Sequence, residues 1–217
     1  MLPIRRIEMG VNFARLTMMV SAFVCLAMLI GCVSPTSLQS ARIEQLIVPA
    51  SRWGGTPADT SMARTHTISR ITLHHQGETF PPGKDAAQYL RDLQKWSRAT
   101  KKWVDVPYHY AIDLDGNIYQ GRDIAFAGDT NTAYDPAGHA LIEVVGNYED
   151  AEPNAAQLDA VVALMTLLAA KYSVPLELIR GHRDYARDTV CPGKNMQRYI
   201  ENGFFREKVR KNLSSMN

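Results

Sequence analysis

The chain is expected to fold as an α/β domain, a central mixed β-sheet flanked by helices. Three observations lead there. Short apolar runs that read as strands alternate with segments of helical periodicity. Asp115-Gly116 lies between two apolar runs and marks a hairpin, so part of the sheet is antiparallel. Asn154, followed three residues later by Gln157, opens a long apolar stretch as a capping box opens a helix.

The N-terminus is set apart from this fold. Residues 16–31 are uncharged and mostly apolar, and Arg5, Arg6 and Arg15 precede them, the pattern of a secretory signal too short to span a bilayer comfortably. The run ends in Leu29-Ile30-Gly31-Cys32, which resembles a bacterial lipobox. On that reading residues 1–31 are a lipoprotein signal peptide and Cys32 is the lipidated mature N-terminus, anchoring the domain to the membrane. The alternative is an ordinary export signal with a chance cysteine. Val33, rather than Asp, follows Cys32, which resembles lipoproteins sent on to the outer membrane to face the periplasm. Residues 32–46 carry Ser, Thr and Gln with little periodicity and read as a flexible tether. The folded domain is then 47–217.

Within it, residues 68–74 read as a strand stopped by the turn-prone Gln76-Gly77. Asp85 is placed to cap a helix over 86–100 in which Tyr89, Leu93 and Trp96 share a face. Residues 108–114 and 117–120 are the two arms of the hairpin. Residues 141–145 form a short apolar strand ended by Gly146-Asn147, and the capped helix runs over 155–172.

The chain has 24 Lys and Arg against 22 Asp and Glu. Removing 1–31 takes away Arg5, Arg6, Arg15 and Glu8 and leaves 21 against 21, so nothing in the charge points to nucleic acid. Nothing identifies a protein partner either. Of the three cysteines, Cys25 goes with the signal and Cys32 is committed to lipid, leaving Cys191 without a disulfide partner. An exported unpaired thiol is an oxidation liability unless a metal binds it.

Cys191 lies nine residues after His182 in one loop, and His74-His75 supplies a further imidazole from a strand. Two ligands from one loop and a third from elsewhere suggest a three-ligand zinc site with one position open, the arrangement of catalytic zinc. Side chains alternate along a strand, so Ile71, Leu73 and His75 share one face and Thr72 and His74 the other. The apolar company of His75 places it toward the core. The polar company of His74 places it on an open face and makes it the candidate ligand.

Five segments resemble, in order, those of zinc-dependent N-acetylmuramoyl-L-alanine amidases, the family shared by peptidoglycan recognition proteins and phage lysozyme-amidases. They are Ser51-Arg52-Trp53-Gly54-Gly55, Ile71-Thr72-Leu73-His74-His75, Val106-Pro107-Tyr108-His109-Tyr110, the stretch from Asp115 to Arg122, and the loop from His182 to Gly193. The resemblance implies a single domain of amidase and peptidoglycan-recognition type, with His74, His182 and Cys191 holding one zinc ion. It also implies a peptidoglycan or muropeptide substrate, cleaved between N-acetylmuramic acid and L-alanine of the stem peptide. Family members that only recognise peptidoglycan typically lack the cysteine. Tyr108 matches the family tyrosine near the metal, placed to hydrogen-bond the water or the oxyanion; otherwise it is a core aromatic of the hairpin. Thr189 stands where relatives have Lys or Thr, and either donates to the oxyanion or shapes the loop.

Glu143 interrupts the apolar run Leu141-Ile142-Glu143-Val144-Val145. A carboxylate buried there is costly, and that cost raises its pKa into the range of a general base. Some amidases of the family carry a glutamate in the matching strand; the other reading is a salt-bridged edge-strand residue. Two departures from the family stand out: the His182-to-Cys191 spacing is one residue longer than in the recognition proteins, and Gly128-Asp129-Thr130 falls where many relatives place a groove histidine. His66, His109 and His139, the last in the loop after Asp135-Pro136, read as structural or surface residues. Arg183 and Asp184 read as residues that fix the loop, the alternative for Asp184 being an acceptor behind the ligand His182. Arg122 is a candidate contact to a stem-peptide carboxylate. The functions left open are a lipid-anchored amidase of cell-wall turnover or recycling, a non-catalytic peptidoglycan binder, and a zinc peptidase or lytic effector.

Overall fold

The computed structural model describes residues 35–216, so the signal peptide and the lipidation site at Cys32 lie outside the described residues. Six strands form one mixed sheet: β1 (Ile47–Val48), β2 (Arg70–His75), β3 (Tyr110–Ile112), β4 (Ile118–Gln120), β5 (His139–Val144) and β6 (Ile179–Gly181). Their order is β1-β4-β3-β5-β2-β6. Only the β3–β4 hairpin is antiparallel; every other pair is parallel. Its turn requires Gly116, at φ 81, a left-handed conformation that a Cβ would strain.

Six helices surround the sheet: α1 (Pro35–Leu46), α2 (Ala50–Trp53), α3 (Ala86–Trp96), α4 (Ala155–Tyr172), α5 (Lys194–Glu201) and α6 (Phe204–Met216). Asp85 caps α3 by accepting from the Ala87 N–H, and the helix continues as a wider π-turn over Ser97–Lys101. Asn154 and Gln157 form the expected capping box of α4. That helix is apolar on nearly every side because its long stretch from Ala160 to Ala169 is largely buried in the core.

The two faces of the sheet do different things. One carries Ile71, Leu73, Ile112, Ile142 and Val144, packed against Val161, Leu164 and Leu168 of α4 and Phe205 and Val209 of α6. The other carries Thr72, His74, Ala111 and Glu143. It is covered by α3, whose Leu90 packs with Trp53 and Ala111 and whose Ala86 packs with Phe80 and Val145. Central parallel strands are buried on both faces. The expectation of an open face is corrected at Thr72, which is fully buried with its hydroxyl 2.7 Å from His139 Nδ1, whereas His74 on the same face borders a groove.

Two further expectations change. Residues 35–46 of the presumed tether form helix α1, held by buried Ile43 and by an ion pair from Glu44 to Lys171 of α4 (2.6 Å). Its weak periodicity conceals it: among residues 40–46 only Ile43 is buried. His139 does not sit in a loop but begins β5, beside Arg70 of β2.

Candidate metal centre and groove

Parallel pairing builds the site. His74 of β2 is in register with Glu143 of β5, so both side chains leave the same sheet face as neighbours. Leu73 is in register with Gly181 of β6, and His182 follows at once on a single 3-10 turn, which delivers the second imidazole beside the first. The His74 and His182 ring centroids are 4.5 Å apart. The loop after His182 returns when the Arg183 N–H bonds the Cys191 carbonyl (2.7 Å), bringing Cys191 Sγ to 3.6 Å from His74 Nδ1. Ligand atoms of His74, His182 and Cys191 all lie within 4.8 Å of one another, and all three residues are buried. The three groups converge across this loop. Gly193 is indispensable to the return, since at φ 86 its Cβ would stand 2.3 Å from the Tyr148 carbonyl carbon.

The donor set fits a zinc ion: two imidazoles and one thiol. Burial, reinforced by the neighbouring histidines, holds His74 well below its usual pKa, and burial lowers His182 to about 4. Both are neutral at pH 7, the form that ligates. Burial pushes the Cys191 thiol up to about 12, against a pull from the His75 N–H (3.4 Å), so only an adjacent cation makes it a thiolate. His75 itself turns the other way, where its Nδ1 accepts from the Tyr148 N–H at 3.2 Å.

These residues line a groove of about 480 Å³ that also takes in Tyr108, Glu143, Thr189 and the α3 face of Tyr89, Leu93 and Trp96. That helical face, regular enough to suggest core, forms a wall of the groove, while Ala86, Leu90 and Gln94 point inward. Glu143 is 1% exposed. Its Oε1 accepts from Tyr89 OH (2.7 Å) and its Oε2 has no partner among the described residues. Burial raises its pKa to about 7, with the Tyr89 hydrogen bond opposing. It is not a salt-bridged edge residue, because β5 lies inside the sheet. Tyr108 packs its ring 5.1 Å from that of His74, and burial together with Glu143 keeps its phenol protonated far above neutrality. Thr189 Oγ accepts from the Cys191 N–H (3.1 Å) and borders the groove.

Arg122 is corrected from a ligand contact to a structural one. Its guanidinium is 4% exposed and donates to the carbonyls of Val106 (2.9 Å) and Asp105 (3.0 Å), to Ala127 O (2.5 Å), and to Asp129. Asp184 accepts from the Gly181 N–H and Gln197 Nε2, both at 2.9 Å, and so braces the loop rather than the His182 ring. His66 and His109 are structural, their rings bonded to backbone of Gly138, Ile124, Leu141 and Phe126. Three residues near the site escape a reading of the chain alone: Tyr89, which fixes Glu143, and Thr132 and Tyr134, which touch the two histidines. Spacing on α3 points to Tyr89; nothing local relates Thr132 to a histidine fifty positions on.

Residues 64–194 match the family model described as N-acetylmuramoyl-L-alanine amidase. The chain is 29% identical over 182 residues to mouse peptidoglycan recognition protein 1, covering 80% of this chain and 96% of that one. It is 29% identical over 153 residues to a human N-acetylmuramoyl-L-alanine amidase, covering 68% of this chain and 26% of that one. Human PGRP-IBETAC, solved in complex with glycosamyl muramyl pentapeptide, superposes with a TM-score of 0.62 at 28% identity, covering 71% of this chain and 94% of that one.

Proposed function

Because the chain belongs to the N-acetylmuramoyl-L-alanine amidase family, we propose that it is a catalytic member, a hydrolase using one zinc ion to cut the amide between N-acetylmuramic acid and L-alanine. The observation that carries this reading is the convergence of His74, His182 and Cys191 beside a buried Glu143 whose Oε2 is unpartnered. A protein that only bound peptidoglycan would have no use for a carboxylate kept there at the cost of burial.

His74, His182 and Cys191 hold the ion. Zinc bound there supplies a Lewis acid for the scissile carbonyl and makes water ionisable near neutral pH. Glu143, which burial raises to about 7 in the metal-free site, is the carboxylate placed to exchange a proton there. Its Oε2 takes a proton from the attacking water and returns it to the departing amine of L-alanine. Tyr89 clamps Oε1 and so aims Oε2. Tyr108, protonated throughout, donates to the oxygen on which negative charge develops. Thr189 has its lone pair committed to the Cys191 N–H, which leaves its hydroxyl proton for the same oxygen. We further propose export and a lipid anchor at Cys32 in the outer membrane, facing the periplasm, with peptidoglycan or muropeptides as substrate.

Exhaustive chelation of the purified protein tests the reading. Hydrolysis should stop and return on adding one equivalent of zinc, and Cys191→Ser should be folded yet inactive. Full activity in zinc-free protein would overturn it, while inactivity of the zinc-loaded protein toward muropeptides it binds would favour the recognition function carried by the name of its mouse relative.

A further inference from the structure

The segment 129–135 runs beside the metal centre, bending at residues 131–134, and its residues 129–132 border the groove. Thr130, Thr132 and Tyr134 are half-buried, while Asn131, Ala133 and Asp135 are exposed, an alternation with a period of two. Its two ends are fastened by ion pairs, Arg122 to Asp129 and Arg64 to Asp135. The inward side chains land on the two histidines. Thr132 Oγ lies 2.7 Å from His182 Nε2 and 2.8 Å from Thr130 Oγ. Tyr134 sets its ring 5.0 Å from that of His182, tilted by 52°, and brings its hydroxyl to 3.5 Å from His74 Nε2. Behind Tyr134 the rings of His139 (5.2 Å) and Tyr185 (6.1 Å) leave it little freedom.

We propose that this strap is the device that orients the metal ligands, with Thr132 as the principal positioning residue and Tyr134 as the second. The inference rests on the zinc reading above. A ligating imidazole needs its second nitrogen held by an acceptor, which sets both tautomer and ring angle. With His182 Nε2–H donating to Thr132 Oγ, whose own hydrogen passes to Thr130 Oγ, the Nδ1 of His182 would be left for the metal. His74 turns its Nδ1 edge to the Cys191 sulfur and its Nε2 edge to Tyr134. The 3.5 Å separation is at the limit of a hydrogen bond, so the contribution of Tyr134 is the smaller one. Asp184, two residues after His182, is engaged elsewhere.

Zinc affinity, read by competition with a fluorescent chelator on the full folded domain, tests the assignment. Wild type should bind one ion. Thr132→Val, which keeps shape and removes the acceptor, should weaken binding roughly 10–100-fold at unchanged thermal stability of the metal-free protein. Thr132→Ser should restore it, and Tyr134→Phe should lose less. Should Thr132→Val fold poorly, Thr132→Ala against Thr132→Ser gives the same contrast. Failure of wild type to bind zinc would sink the metal reading itself. Normal zinc binding by wild type, Thr132→Val and Thr132→Ala alike would leave that reading standing and overturn the strap's role.

Discussion

Glu143 concentrates the chemistry that single residues decide. Its pKa of about 7 against an ordinary 4.5 means that the folded, metal-free protein holds a proton there between those pH values which the unfolded chain has released. Stability then falls as pH rises from about 4.5 to 7. Metal-free Glu143→Gln should therefore exceed wild type at pH 8 by about 3 kcal/mol, at 1.36 kcal/mol per unit, and the difference should vanish near pH 4; urea titrations at the two pH values check it. The same variant should lose roughly 100- to 10,000-fold in turnover while keeping zinc. Tyr89→Phe removes the one hydrogen bond that lowers the Glu143 pKa, so the acid limb of kcat/KM should move to higher pH. An unmoved limb would separate Tyr89 from the base. Much of this residue level is readable from the chain, since a charge inside Leu141-Ile142-Glu143-Val144-Val145 marks itself. The Tyr89 clamp and the Thr132 contact are not, because they join segments 54 and 50 positions apart.

At the level of elements, capping and turn chemistry are written locally and survive folding. Asn154, Gln157 and Asp85 start α4 and α3 where their spacing says they should, and Gly116 turns the hairpin. Asn154→Ala should cost about 1 kcal/mol, measurable as a lower midpoint in denaturant. Helix α1 is the element that spacing hides. Its hold is Ile43 against the core and Glu44 against Lys171. Ile43→Ala should destabilise the domain by about 2 kcal/mol, whereas a true tether would tolerate it without any change in melting temperature. Alternation on β2 chose His74 over His75 as a ligand. That face is closed at Thr72 and open at the groove that His74 borders, because periodicity registers which residues share a face and not what packs on it.

The whole molecule joins these parts through parallel register. β2 sits between β5 and β6, so one sheet face receives His74 and Glu143 side by side and the turn after β6 adds His182. The closing loop adds Cys191 without an intervening disulfide. Binding only the folded state, zinc at 100 times its dissociation constant should stabilise by about 2.7 kcal/mol, and Cys191→Ser should blunt the gain in a thermal melt. The family match covers residues 64–194, and the groove beside the metal centre is of the size of a small-molecule site. The most direct test is mass spectrometry of the products from a defined muropeptide incubated with the zinc-loaded protein. The account predicts two products, a free stem peptide beginning at L-alanine and the intact amino sugar with its lactyl acid. Cleavage within the stem peptide, or unchanged muropeptide in the presence of stoichiometric zinc, would contradict it.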